Sequence, residues 1–306
     1  MNGLLEFVEE HLNVWWLRPE SALCDSIASS AVSQHEMTRP SLDLGSGNGI
    51  FSFITAGGKF TPDYDWHRNV DPTGFSENQD IYNTCVEPPS ESRILRAPDY
   101  KIDYALDHKP NLLRQAAGLG LYVDIVAADA NHVLPFFDDS FQTIFSNILY
   151  WLDSPEVSFK ELYRILRPSG RALICLQDPK FKEYCMSYQW KERESRMLQI
   201  LNRGRSETNL WRISYTELKQ LCRTVGFKLV SHEYYLSPLT LRVWDIGVRP
   251  LSAVLTKMVQ KLSDADRAAI KEEWIETIRP FVLELAELDR ASKEQGGFHF
   301  AVLEKP

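Results

Sequence analysis

Leu4, Leu5, Val8, Leu12, Trp15 and Trp16 recur at helical spacing, which predicts an amphipathic helix over residues 3–16, packed on the domain or closing over a cleft. Its polar face carries Glu6, Glu9 and Glu10, where an anionic membrane would want Lys or Arg. A second helix is expected from Pro19 to about Gln34. From residue 41 the pattern changes to short apolar runs alternating with helical stretches. Strands are expected at 41–44, 104–107, 124–128, 142–146 and 171–176. A glycine turn at 45–53 feeds a helix, and further helices are expected at 111–118 and 155–166. Residues 227–235 and 298–304 read as two closing strands. This alternation predicts an α/β fold, a mostly parallel sheet with helices on both faces and right-handed crossovers.

Three segments break the rhythm. Residues 57–100 are rich in Pro, Asp and aromatics and hold no sustained period. Residues 180–214 are helix-like and charged, and residues 239–295 hold two or three helices punctuated by Pro250 and Pro280. The expected organisation is N-terminal helices over 1–40, as lid or packing, and one domain over 41–306. The three insertions would form a substrate lobe. There is no internal repeat.

Composition narrows the classes. The 306 residues are 44% hydrophobic and 25% charged, a globular balance. The net charge of -8 argues against a nucleic-acid partner, since phosphates need a basic field. Five scattered cysteines show no C-x-x-C spacing, which fits reduced thiols and not a zinc site. No run approaches the ~20 apolar residues of a spanning helix, so no integral membrane segment is expected. The acidic N-terminus does not resemble a secretory signal, and the expectation is a cytoplasmic protein.

The chemistry starts at Asp43-Leu-Gly-Ser-Gly-Asn-Gly49, three glycines between a buried strand and a helix. Gly45, Ser46 and Gly47 would bring the backbone close to a ligand at the carboxyl end of the sheet. The spacing is G-x-G-x-G, with Ile50 where a dinucleotide fingerprint has its third glycine. A pyrophosphate is therefore not the first expectation, although a nicotinamide-dependent oxidoreductase remains the rival reading. A ribose diol wants a carboxylate at the end of the second strand. Asp107 stands there, beside His108 and 64 residues after Asp43, if the 57–100 insertion is looped out. Asp103 competes but begins the apolar run. Asp129 and Ala130, ending the third strand, suit an adenine amino group and ring nitrogens.

These motifs resemble those of class I S-adenosylmethionine-dependent methyltransferases, and more specifically the methyltransferase type 11 group. Asp43–Gly49 is similar to motif I. Leu134-Pro-Phe-Phe-Asp-Asp-Ser-Phe141 through Asn147-Ile-Leu-Tyr-Trp151 is similar to the "LPF-x-D-x-SFD" region and fourth strand. Glu161–Ile174 resembles the helix, "LKPGG" turn and fifth strand. The resemblance covers roughly 41–178. It implies a Rossmann-like seven-stranded sheet whose last strand inserts antiparallel, S-adenosylmethionine as cofactor, and cofactor contacts at Asp43, Gly45, Gly47, Asp107, Asp129, Ala130 and Asn147. Gln142 and Ser169 depart from the pattern, and the 57–100 insertion departs most.

The implied reaction is in-line methyl displacement onto a small-molecule acceptor, which rests on alignment and exclusion of water. A base is needed only if the acceptor must lose a proton. His67, Tyr150 and His232 are the candidates, with His132 near the cleft-bordering segments. Tyr64, Trp66, Tyr150, Trp151, Tyr234 and Arg242 are substrate-binding candidates. Tyr64, Trp66 and Phe75 would close over the substrate from the insertion, and Tyr235 and Arg249 stand near the others. Asp63-x-Asp65-x-His67 alternates like a calcium loop, but Arg68 occupies the required glycine position. Solvated acids are the expectation there, with no metal. A non-catalytic S-adenosylmethionine-binding protein on the same fold is the remaining alternative, and the sequence does not fix the acceptor or the oligomeric state.

Overall fold

The computed structural model describes residues 2–70, 91–189, 210–248, 251–292 and 295–306. Among the described residues nine strands run in chain order: β1 Ser41–Leu44, β2 Lys59–Phe60, β3 Ile94–Arg96, β4 Ile102–Asp107, β5 Tyr122–Ala127, β6 Phe141–Ser146, β7 Leu166–Gln177, β8 Lys228–Tyr235 and β9 Phe298–Glu304. Seven of them form one sheet in the order β5-β4-β1-β6-β7-β9-β8. The strands from β5 to β7 pair in parallel, and β9 lies antiparallel between β7 and β8. The chain leaves β1 toward β4 on one side and returns to β6 on the other, so the switch point is the carboxyl end of β1, where open α/β sheets bind ligands.

Helices cover both faces: α1 Asn2–Val14, α2 Pro19–Val32, α3 Ile50–Thr55, α4 Pro110–Ala117, α5 Pro155–Ile165, α6 Phe181–Tyr184, α7 Met186–Gln189, α8 Tyr215–Val225, α9 Pro238–Ile246, α10 Ser252–Val259 and α11 Asp264–Ala291. One core joins Val8, Leu12 and Leu23 of the first two helices to Phe53, Phe145, Cys175 and Phe300. The opposite core joins Phe159 and Leu162 of α5 and Leu218 of α8 to Leu42, Ile144 and Ile174. Leu42, Leu44 and Ile144 face the second core while Phe145 and Leu173 face the first, so the central parallel strands are buried on both faces. No helix among the described residues is long and apolar enough to cross a membrane.

Two expectations need correction. Pro280 lies inside the 28-residue α11 and does not end it. Proline removes one backbone hydrogen bond, but Val282 and Ala286 bury beyond it in the first core, and that packing carries the helix through. Pro250 lies outside the described residues.

The start of the 57–100 insertion is not a solvated loop. Its β2 and β3 pair antiparallel, and Tyr64 and Trp66 are core side chains. Tyr64 stacks on Phe60 at 4.2 Å between centroids, and Trp66 meets Trp15 of the segment after α1 edge-on at 4.7 Å. Asp65 is buried in an ion pair with Arg267 at 2.5 Å, and accepts from the Trp16 indole at 3.0 Å. Lys271 donates to Asn13 Oδ1 and to the carbonyls of Pro62 and Tyr64. Helix α11 thus fastens residues 61–70 onto the N-terminal helices. Tyr64 and Trp66 are not free to close over a substrate, and Phe75 lies outside the described residues.

Candidate active site at the carboxyl edge of the sheet

Beyond Leu44 the chain turns through Gly45, Gly47 and Gly49 with φ of 79°, 56° and 74°. Three left-handed residues in five positions explain the glycines, because a side chain would be strained at each. The turn is tied sideways to β4: the Gly45 and Ser46 amides both donate to the Leu106 carbonyl, at 2.8 and 3.0 Å. Gly49 caps α3, whose short buried face carries Phe53 and Ile54 into the core.

Asp107 closes β4 at that point. Its Oδ2 accepts from the Gly47 amide at 3.0 Å and its Oδ1 from the Lys109 amide at 2.9 Å. The exposed His108 has Nδ1 3.5 Å from the same carboxylate. Asp103 lies at the other end of the strand, paired with Arg39 and accepting from the Ser41 amide at 2.8 Å. Asp107, and not Asp103, is at the carboxyl edge of the sheet beside the glycine turn. Asp129 follows β5, exposed, with Oδ1 accepting from the Asn131 amide at 2.9 Å, and Ala130 is half-buried beside it.

Three buried polar atoms around the loop have no hydrogen-bond partner among the described residues: Ser46 Oγ, Asn48 Nδ2 and Asn147 Oδ1. Unpaired buried polar groups are costly, so their clustering beside a turn held by Asp107 fits a polar ligand. A Cβ added at Gly47 would meet open space, as a ligand-facing backbone requires.

Asp43 lies beneath the loop, 1% exposed, and its Oδ2 accepts from the Ser52 hydroxyl and the Tyr122 hydroxyl, both at 2.6 Å. Burial pushes its carboxyl up to about 6, against those two hydrogen bonds. The folded chain therefore holds the Asp43 proton more tightly than the unfolded chain. That stabilising contribution is complete below pH 3.8 and is lost as pH rises through about 6. Asp43→Asn should accordingly gain about 2–3 kcal/mol relative to the parent between pH 4 and pH 7.5. Thermal unfolding of both proteins across that range measures it, and a pH-independent difference would refute it.

The remaining candidates separate into groups. Tyr150 and Trp151 follow β6, as the ligand edge requires; Tyr150 is buried against Phe298 at 5.7 Å, and Trp151 is half exposed. The Leu210 amide donates to the Tyr150 carbonyl and the Ile213 amide to the Gln177 carbonyl, so residues 210–213 cross the ends of β6 and β7. His232 lies in a buried chain. Asp178 Oδ2 is 2.9 Å from His299 Nε2, and His299 Nδ1 is 2.7 Å from His232 Nε2. His299 Nε2 also faces the Ile213 carbonyl at 2.8 Å, and two oxygens without protons require that nitrogen to donate. With neutral imidazoles, His232 Nε2–H then donates to His299 and His232 Nδ1 keeps its lone pair. Burial holds His232 down at about 4, with His299 adding to the effect.

Tyr234 packs edge-on to His232 at 4.9 Å, Tyr235 is buried and Arg242 is exposed on α9. His67 is not near the loop. It is fully buried among Trp15, Trp16 and Trp66, and burial lowers it to about 3. Aromatic packing against the N-terminal helices draws it into the core. His132 is exposed and Arg249 lies outside the described residues. Sequence reasoning missed Ser52, Tyr122 and Gln177. Of these, Gln177 left a trace, as the polar residue that closes an apolar strand at its carboxyl end.

Residues 93–174 match the methyltransferase domain model Methyltransf_11. No curated protein matches the chain. Among solved structures, a complex between the Haloferax volcanii Trm112 methyltransferase activator and a protein described as a methyltransferase is 14% identical, with TM-score 0.50 over 98% of this chain and 97% of that one. A methyltransferase from Thermotoga maritima is 14% identical, with TM-score 0.48 over 99% and 97%, and one from Mesorhizobium loti is 13% identical, with TM-score 0.47 over 92% and 97%. Identity of 14% at TM-score 0.50 speaks to the fold alone, and the segment that matches the methyltransferase domain model holds Asp107, Asp129 and Asn147.

Proposed function

We propose that the chain transfers a methyl group from S-adenosylmethionine to a small-molecule acceptor at the carboxyl edge of β1, β6 and β7. The observation that carries this reading is the Asp107-anchored glycine turn, ringed by Ser46 Oγ, Asn48 Nδ2 and Asn147 Oδ1, which have no partner among the described residues. Asp107 would accept from the ribose diol, and Asp129 from the adenine amino group beside Ala130. The amides of Gly45–Gly47, with Ser46 and Asn48, would hold the amino-acid end. Asp43 supports the turn from below through Ser52 and Tyr122. When bound, the cofactor supplies a methyl on a positively charged sulfur, which needs no further activation.

Acceptor alignment falls to Tyr150 and Trp151, with residues 210–213 excluding water from the edge. The register puts His232 on the face of the sheet opposite Asp107, Asp43 and Gln177, so an acceptor that reacts without losing a proton to this histidine is the reading favoured. The net charge of -8 and the aromatic walls favour a partly apolar small molecule over a nucleic acid. Calorimetry with S-adenosylmethionine, S-adenosylhomocysteine and NADH tests the foundation. Micromolar binding of the first two and none of the third is expected; binding of NADH alone would overturn the reading. Release of S-adenosylhomocysteine from acceptor mixtures then identifies the substrate.

A further inference from the structure

The strand order puts one more polar side chain on the ligand edge. Asp43 pairs with Ala105 on one side and Phe145 on the other, and Phe145 pairs with Leu173. Paired residues share a face, and so do residues two apart on a strand. Asp107, Asp43 and Gln177 therefore lie on one face of the sheet at its carboxyl edge. Gln177 is the last residue of β7, the strand beside β6. It is 2% exposed, yet its Oε1 has no hydrogen-bond partner among the described residues. Among the described residues nothing satisfies this buried amide oxygen, which costs stability.

The proposed ligand contacts follow the sheet in order: Asp129 after β5, Asp107 on β4, the glycine turn after β1 and Asn147 after β6. Strands are spaced about 4.8 Å apart, and the next place along the row belongs to Gln177. We infer that Gln177 Oε1 faces the charged sulfur and its methyl group, so that this side chain distinguishes the methyl donor from its neutral demethylated product. A carbonyl oxygen carries partial negative charge, and in a water-excluded edge it attracts a sulfonium and gains little from a thioether. Product would then be held less tightly than donor without any moving part. The inference rests on the cofactor reading above.

Gln177→Leu keeps the volume and removes the dipole. Affinity for S-adenosylmethionine, measured by calorimetry, should fall about 5- to 10-fold while that for S-adenosylhomocysteine changes less than about twofold. Without ligand, the same variant should melt about 2 °C higher, because an unsatisfied buried amide has been replaced by an apolar group. An equal change for both ligands, or a lower melting temperature, would assign Gln177 to the architecture and overturn the inference. If the leucine variant does not fold, Gln177→Glu provides the second reading: the donor-to-product affinity ratio must rise above that of the parent, and an unchanged ratio overturns the inference. Failure of the parent protein to bind either ligand would instead sink the cofactor reading itself.

Discussion

Alanine at position 45 is expected to lower the unfolding free energy by about 4 kcal/mol and to abolish measurable S-adenosylmethionine binding. Two costs add. A side chain at φ 79° is strained by about 1–2 kcal/mol. The new Cβ would also stand 2.6 Å from Cγ2 and 2.7 Å from Cδ1 of Ile148, a β-branched residue that cannot swing away. Relief would push residues 147–151 off the edge they line. Gly47→Ala provides the contrast, since its Cβ meets nothing within 4 Å and only the strain at φ 56° remains. That variant should lose about 1 kcal/mol of stability yet bind ligand poorly, because its methyl occupies ligand space. Urea unfolding of both, with Gly45→Ala/Ile148→Ala, checks the cause. The double variant should be about 2 kcal/mol more stable than the sum of its single changes predicts. Simple additivity would mean that Ile148 is not what the glycine avoids.

Asp107→Ala should weaken S-adenosylmethionine binding about 100- to 1000-fold, the range expected when two charge-assisted hydrogen bonds to a diol are lost. The change also frees the Gly47 and Lys109 amides that the carboxylate now holds, so the turn loses its anchor as the ligand loses its acceptor. Asp107→Asn keeps an accepting oxygen and should fall between parent and alanine. Asp103→Asn is the control: it sits at the opposite end of β4 against Arg39 and should leave affinity unchanged. Titration calorimetry decides between them. If Asp103 and not Asp107 governed affinity, the placement of the ligand at this edge would be wrong.

How much of this was legible follows from where each signal resides. The strands announce themselves because a central strand is buried on both faces and reads as a short, mostly apolar run, with Leu42, Leu44, Ile144 and Ile174 on one face and Phe145, Leu173 and Cys175 on the other. The start of β7 was missed: Leu166 already pairs with Phe141, across an irregularity, before the turn at Pro168-Ser169-Gly170 that reads as a break. The glycine turn and Asp107 were legible because backbone freedom and a strand-end carboxylate are local properties. Tyr64, Trp66 and His67 were not. Aromatics in an aperiodic stretch look the same whether they cover a ligand or fill a core. What settles them is α11, which arrives some 200 residues later to pair Arg267 with Asp65 and Lys271 with the Tyr64 carbonyl.

The amino-acid order thus determined the elements, the turn and the acid that completes it, since each depends on residues within a few positions of one another. Tertiary structure alone decided which side chains lack partners among the described residues. Ser46, Asn147 and Gln177 stand along one edge only because β1, β6 and β7 align side by side, and hydrogen-bond satisfaction is a property of such three-dimensional surroundings. The same holds for Asp178, His299 and His232, which β7, β9 and β8 bring within hydrogen-bond reach across 121 residues of chain.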